Sequence, residues 1–178
     1  MVAKLEKEYE VEVEWRPFYL RPDTPEEGMD LPEYIKKARL NGSDERLSQM
    51  AAGYGMQFVS TERIYNTRLA HEATEYAKRQ GQGNTFHKVV FRKVYGEGLD
   101  ISDWAVLRAA AAEVGLDAAE MQAQVQSGTF THEVAGQVQE AYQIGVSGVP
   151  TYVINDRHAL VGAQPYEVFK RALAQILK

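Results

Sequence analysis

Residues 145–155 read GVSGVPTYVIN. The chemistry available to this stretch lies in its backbone. A Val149–Pro150 step can turn the chain sharply through a cis peptide bond. The turn leaves the Val149 N–H and C=O free to pair with an extended substrate. Gly148, Val149 and Pro150 are therefore the first substrate-binding candidates, while Thr151 reads as structural. Corners of this kind often stand beside a reactive thiol, yet the chain has no cysteine. That excludes disulfides, thiolate catalysis by these residues and Cys-ligated metal.

A second cluster is Trp15, Arg16, Pro17 and Phe18. Its plain reading is core packing plus a strand-ending turn. Its functional reading is that Arg16 or Phe18 lines a substrate groove. Asn66 most simply caps the helix that follows it; the functional alternative puts its loop near the site. His71, His87, His132 and His158 show no His-x-x-x-His or Glu-His ligand spacing, so no metal site is expected. His71 and His87 could face a cleft, but surface or satisfied-core positions are the favoured reading. YGEGLD lacks the Lys-Ser/Thr ending of a phosphate loop. No Ser-His-Asp arrangement stands out, so no catalytic residue is assigned within the chain.

These candidates need elements to hold them. Residues 2–9 read as the end of a helix, with Leu5 and Tyr9 on one face. YEVEVEW then alternates, with Tyr9, Val11, Val13 and Trp15 on one side and three glutamates on the other, which predicts a strand closed by Pro17. Residues 21–43 form a long connection with a short helix near Pro32–Leu40. Helices are predicted over Asp44–Met56, Thr67–Gln80, Asn84–Tyr95, a segment capped by Ser102 and ending at Gly115, a short one with an Asp117–Glu120 capping box, and Thr129–Ile144. TYVI and HALV flank an NDR turn and predict a hairpin. Pro165 opens a final helix with a Val168, Phe169, Ala172, Leu173, Ile176 stripe.

Composition narrows the function classes. The chain has 178 residues, 44% hydrophobic and 25% charged, as expected of one folded domain, or one domain with a large insertion. A net charge of −5 with no basic run disfavours nucleic-acid binding. No apolar run is long enough for a membrane span, and the charged start lacks a signal-peptide core, so the expected location is cytoplasmic.

Several segments resemble a known family. EVEWRPFYLRPDTPEEGMD is similar to the stretch after the first helix of DsbA-like oxidoreductases of the FrnE type. NTRLAHEATEYAKRQG and FRKVYGEGLDISDWAVLRAAAAEVGLD resemble their inserted helical domain. AYQIGVSGVPTYVINDRHALVGAQPYEVFKRAL resembles their C-terminal half, with corner, hairpin, Gly-Ala-Gln and helix in order. The resemblance implies an α/β, thioredoxin-like fold. Its thioredoxin-like part is residues 1–30 and 146–178, and its all-helical insertion is 31–145. It also implies that the cis-proline loop offers backbone groups to a peptide or thiol substrate.

In that family a central first strand leads to Cys-x-x-Cys at the start of the first helix, where the helix dipole lowers the nucleophile's pKa. Here Met1 falls within the expected first helix, so the first, central strand is missing from the chain. Backbone groups buried without partners cost about 1–3 kcal/mol each, and several would exceed a stability of roughly 5–15 kcal/mol. Three explanations are open: a longer parent protein, which is favoured; a strand supplied by a partner chain; or a rearranged sheet.

The leading expected function is DsbA-family thiol–disulfide exchange, seen without its dithiol and so inactive in exchange by itself. The alternative is a glutathione-dependent isomerase or transferase of the 2-hydroxychromene-2-carboxylate isomerase or kappa-class type. Such proteins use serine for the first cysteine and bind glutathione at the cis-proline, and in them a loop comparable to that of Asn66 approaches the site. No other cofactor is expected. A non-catalytic binding module, including a homodimer joined at a sheet edge, is the third reading.

Overall fold

The computed structural model describes residues 2–176. Met1 and the last two residues of the expected final helix, Leu177 and Lys178, lie outside the described residues. The chain divides into two units, Met1–Leu20 with Gln137–Lys178, and Arg21–Gly136.

The Arg21–Gly136 unit begins with a small antiparallel ladder. Strand β1 (Met29–Asp30) pairs with β2 (Arg63–Ile64), with Met29 opposite Ile64. Gly28 lets the two backbones close up: it has φ +74, and a Cβ there would sit 2.6 Å from the Ile64 carbonyl oxygen. Helices α2 (Glu33–Leu40) and α3 (Ser43–Ala52) lie between these strands. The α3 segment stops four residues short of the expected Met56 because Gly53 and Gly55 turn the chain.

The core of this unit is built by α4 (Arg68–Arg79), α5 (Gly83–Phe91), α6 (Trp104–Glu113) and α7 (Ala118–Gln126). Alanines at 70, 73 and 77 on α4, and at 110 and 111 on α6, are buried. Their small side chains leave room for Phe86, Leu107, Met121 and Phe130, all fully buried. Phe130 meets Tyr76 edge-on, with centroids 6.3 Å apart, and carries the Arg79 guanidinium 4.5 Å above its ring. Buried Glu75 is held by Lys78 at 2.8 Å, and buried Glu72 by Arg68 at 3.2 Å.

After Phe91 the helix widens into a π-helical turn, Arg92–Gly96, where a continuous α-helix to Tyr95 was predicted. Two things hold the wider turn. The Tyr95 carbonyl accepts the Val59 N–H at 2.7 Å. Arg92 bonds Glu97 at 2.6 Å and Glu113 of α6 at 2.5 Å. Helix α8 (Thr131–Gln143) then carries the chain from this unit into the other.

The other unit contains α1 (Val2–Glu8), the hairpin β3 (Thr151–Ile154) and β4 (His158–Val161), and α9 (Tyr166–Ile176). Its buried cluster is Leu5, Phe169 and Leu173, flanked by Tyr9, Val11, Tyr152, Ile154 and Leu160. Tyr152 packs edge-on to Phe169 at 4.7 Å. The predicted strand at Tyr9–Trp15 is not formed. The alternation survives in the burial, since Tyr9, Val11, Val13 and Trp15 are half-buried and the intervening glutamates exposed. A strand also needs a backbone neighbour, and no strand among the described residues pairs with this segment. No described helix is long and apolar enough to cross a membrane.

Candidate functional site

The GVSGVP segment follows directly from the end of α8. The helix closes through Gly145, at φ +83, with the Val146 N–H bonded to the Ala141 carbonyl at 2.9 Å. The chain then runs out to Val149, and the Val149–Pro150 peptide bond is cis. Thr151 Oγ1 donates to the Gly148 carbonyl at 2.7 Å and ties the two sides of the corner together. Gly148 faces open space: apart from its chain neighbours, no atom of the described residues lies within 4 Å of where a Cβ would stand.

The hairpin register decides which backbone groups the corner offers. Thr151 lies opposite Val161 and Tyr152 opposite Leu160. One step further, the Gly162 N–H donates to the Pro150 carbonyl at 2.8 Å. In an antiparallel ladder, residues that exchange bonds alternate with residues that point outward. Pro150, Tyr152 and Ile154 therefore turn their backbone groups toward β4. Thr151 and Val153 turn theirs to the outer edge of β3, which no strand among the described residues covers. Side chains divide the same way: Tyr152 and Ile154 pack on the α9 cluster, while Val149 and Val153 remain half-exposed.

Arg16 and Phe18 sit against the last turns of α8, just before Gly145. Arg16 bonds Glu140 at 2.6 Å and Glu14 at 3.2 Å. Phe18 packs on Tyr142 at 5.1 Å, and the Tyr142 hydroxyl donates to the Tyr19 carbonyl at 2.9 Å. Both residues thus anchor the segment 14–19 to the helix that delivers the corner. Sequence reasoning missed Glu140 and Tyr142; the only available signal was an aromatic residue three positions before a helix-ending glycine.

Asn66 belongs to the helical unit, and its side chain is engaged there. Its Oδ1 accepts the Arg68 N–H at 2.9 Å, and its Nδ2 donates to the carbonyl of Thr24 at 2.7 Å. The first bond satisfies the N–H of the first residue of α4, which begins at Arg68 with Thr67, one position after Asn66, at the N-cap. His71 and His87, on α4 and α5, are both pushed down to about 4. Burial is the main cause for each, with the charges of His87 and Lys78 adding for His71, and those of Lys78 and Lys88 for His87.

The corner can hold an extended backbone by hydrogen bonds at Thr151 and Val153 and by apolar contact at Val149. It brings no thiolate nucleophile, because the chain has no cysteine. Among the described residues no three His, Asp or Glu side chains group as metal ligands.

Comparison with known proteins agrees with this architecture. The crystal structure of a probable DsbA oxidoreductase, SCO1869 from Streptomyces coelicolor, superposes with a TM-score of 0.80 at 26% identity, covering 90% of this chain and 73% of that one. A 2-hydroxychromene-2-carboxylate isomerase structure shares the fold with a TM-score of 0.81 at 21% identity, covering 99% of this chain and 86% of that one. The uncharacterized protein YwbO of Bacillus subtilis (strain 168) is 29% identical over 171 residues, 93% of this chain and 82% of YwbO. A 2-hydroxychromene-2-carboxylate isomerase of Sphingobium xenophagum is 34% identical over 85 residues, 48% of this chain and 44% of the isomerase. The DSBA-like thioredoxin domain model matches residues 1–174, and the chain, an α/β thioredoxin-like fold with a helical insertion, belongs to that family.

Proposed function

We propose that this chain holds an extended peptide or thiol substrate along Val149–Pro150 and the outer edge of β3, as the substrate-holding half of a DsbA-type disulfide-exchange site. The observation that carries the reading is the uncovered row of N–H and C=O groups at Thr151 and Val153 beside half-exposed Val149. An extended backbone is the ligand that satisfies such a row, by strand addition. In exchange chemistry a cysteine thiolate attacks a substrate disulfide, a new S–S bond forms as the old one breaks, and a second thiolate resolves the mixed disulfide. Those thiolates lie outside these residues, whose part is to bind and orient. The family membership and the resemblance to the probable DsbA oxidoreductase support this reading.

A second reading, glutathione-dependent isomerase or transferase chemistry at the same corner, is favoured by the 34% identity to the Sphingobium isomerase and by the absence of cysteine. Amide NMR titrations separate the two. A cysteine-free extended peptide should shift the Thr151 and Val153 amides, and the chain alone should not reduce insulin. Shifts with glutathione and none with peptide would select the second reading. Silence of both amides with both ligands, or insulin reduction by this chain, would refute the assignment.

A further inference from the structure

We propose that the groove between the outer edge of β4 and helix α9 captures the C-terminus of an extended peptide that ends in a free carboxylate and an apolar residue. This site is separate from the corner and uses the other edge of the hairpin. Leu160 is bonded toward β3, opposite Tyr152, so Ala159 and Val161 turn their backbone groups away from β3. No strand among the described residues covers that side. Among the described residues, Ala159 keeps both its N–H and its C=O open, and Val161 its N–H. The Val161 carbonyl accepts Gln164 Nε2 at 2.9 Å. β4 has no proline, no lysine and an unbroken register, so a further strand can pair with it.

A hollow of about 350 Å³ lies along this edge. It is lined by Arg157 and residues 158–160, and by Ala172, Gln175 and Ile176 of α9, with no residue of β3. Leu160, Ala172 and Ile176 give it apolar walls. Arg157 gives it a guanidinium that has no hydrogen bond or ion pair among the described residues. No acid lines it, in a chain of net charge −5.

These three features choose the occupant. A row of open backbone groups calls for an extended backbone, apolar walls for an apolar side chain, and an unpaired guanidinium for an anion. A peptide C-terminus carries all three. The register sets its direction. An antiparallel peptide runs from Val161 toward His158, so its last residue lies opposite His158 and its carboxylate reaches Arg157. A parallel strand would bring its positive amino end there instead. The penultimate residue pairs with Ala159 through two backbone bonds. Residues opposite one another share a face, and Tyr152, Ile154 and Leu160 face α9. The last and third-last side chains of the peptide, opposite His158 and Leu160, therefore enter the hollow. The last described turn of α9 borders the hollow, and a helix C-terminus disfavours an anion. A bidentate guanidinium–carboxylate bond is the stronger effect, and it puts the carboxylate at Arg157 and the apolar side chain at the helix.

Amide NMR titration with a cysteine-free pentapeptide ending in valine-serine-leucine tests this. The free acid should shift the Ala159 and Val161 amides. The same peptide as its C-terminal amide lacks the carboxylate, and isovalerate lacks the backbone. Each should bind there roughly tenfold more weakly or worse. Arg157→Gln, at an exposed turn position, should weaken the free acid by roughly tenfold and leave the amide form unchanged. Gln175→Trp, also exposed, narrows the hollow and should weaken the free acid as well. The amide form still reports on the corner through Thr151 and Val153, so the two binding roles fail separately. Equal binding of acid and amide, equal binding of isovalerate, indifference to Arg157→Gln, or no shift at Ala159 and Val161 with millimolar peptide would overturn the proposal. Shifts there that follow chain concentration without peptide would put a second copy on the edge and overturn it too.

Discussion

His71 and His87 show what individual side chains contribute to the molecule. Each is pushed down to about 4 in the folded chain, burial first and neighbouring positive charge second. Unfolded, both titrate near 6.5. Between these values the unfolded chain binds more protons than the folded one, so stability is complete above about pH 6.5 and is lost as pH falls toward 4. At about 1.36 kcal/mol per pKa unit, each imidazole stands for on the order of 3 kcal/mol, less for the coupled pair together. Urea midpoints should therefore fall steeply from pH 7 to 4.5, and His71→Gln with His87→Gln should flatten the profile. Parallel profiles for wild type and double variant would show that the titrating groups lie elsewhere. At this scale the site was only partly legible in the sequence. Gly148–Pro150 could be found because a corner is a local pattern. The partners of Arg16 and Phe18, Glu140 and Tyr142, lie more than a hundred positions away, where no periodicity connects them.

Among the elements, helices were the legible part, because their caps and apolar stripes are local. Asp117 caps α7 as expected, accepting the Ala119 and Glu120 N–H groups at 2.9 Å. Glu120 does not complete the box; its carboxylate takes the Tyr76 hydroxyl and Gln124 instead. For α6 the expected cap, Ser102, is displaced by its neighbour. Ser102 gives both its N–H and its hydroxyl to Asp100 Oδ1, at 2.8 and 2.6 Å, while extended Asp103 accepts the Ala105 N–H at 2.8 Å. Two adjacent cap-forming residues look alike in sequence, and the backbone angle chooses between them. Asp103→Ala and Asp117→Ala should each lower stability by about 1 kcal/mol, and Ser102→Ala by less, in denaturant titrations. A larger loss at Ser102 than at Asp103 would reverse the assignment. The stretch Tyr9–Trp15 failed as a strand for the opposite reason: alternation reports which side faces the core, and a ladder depends on a second segment that local pattern does not encode.

On the scale of the whole molecule, the two units are held by very different cores. The helical unit closes around Phe86, Leu107, Met121 and Phe130, contributed by α5, α6, α7 and the turn before α8, with none of them exposed to solvent. The hairpin unit rests on Leu5, Phe169 and Leu173 with half-buried neighbours, and one edge of β3 is uncovered by any described strand. Local opening costs least where few apolar contacts are buried and backbone bonds meet water. Hydrogen exchange should therefore grade across the chain. Amides in the middle of α4 and α6 should exchange near the global unfolding limit. Tyr152 and Ile154, bonded to β4, should exchange faster by roughly two orders of magnitude. Thr151 and Val153, facing the open edge, should be faster still and should slow selectively when an extended peptide binds. Uniform protection across hairpin and helices would mean that the β3 edge is covered in solution, and the corner would then lose the backbone row on which its binding role depends.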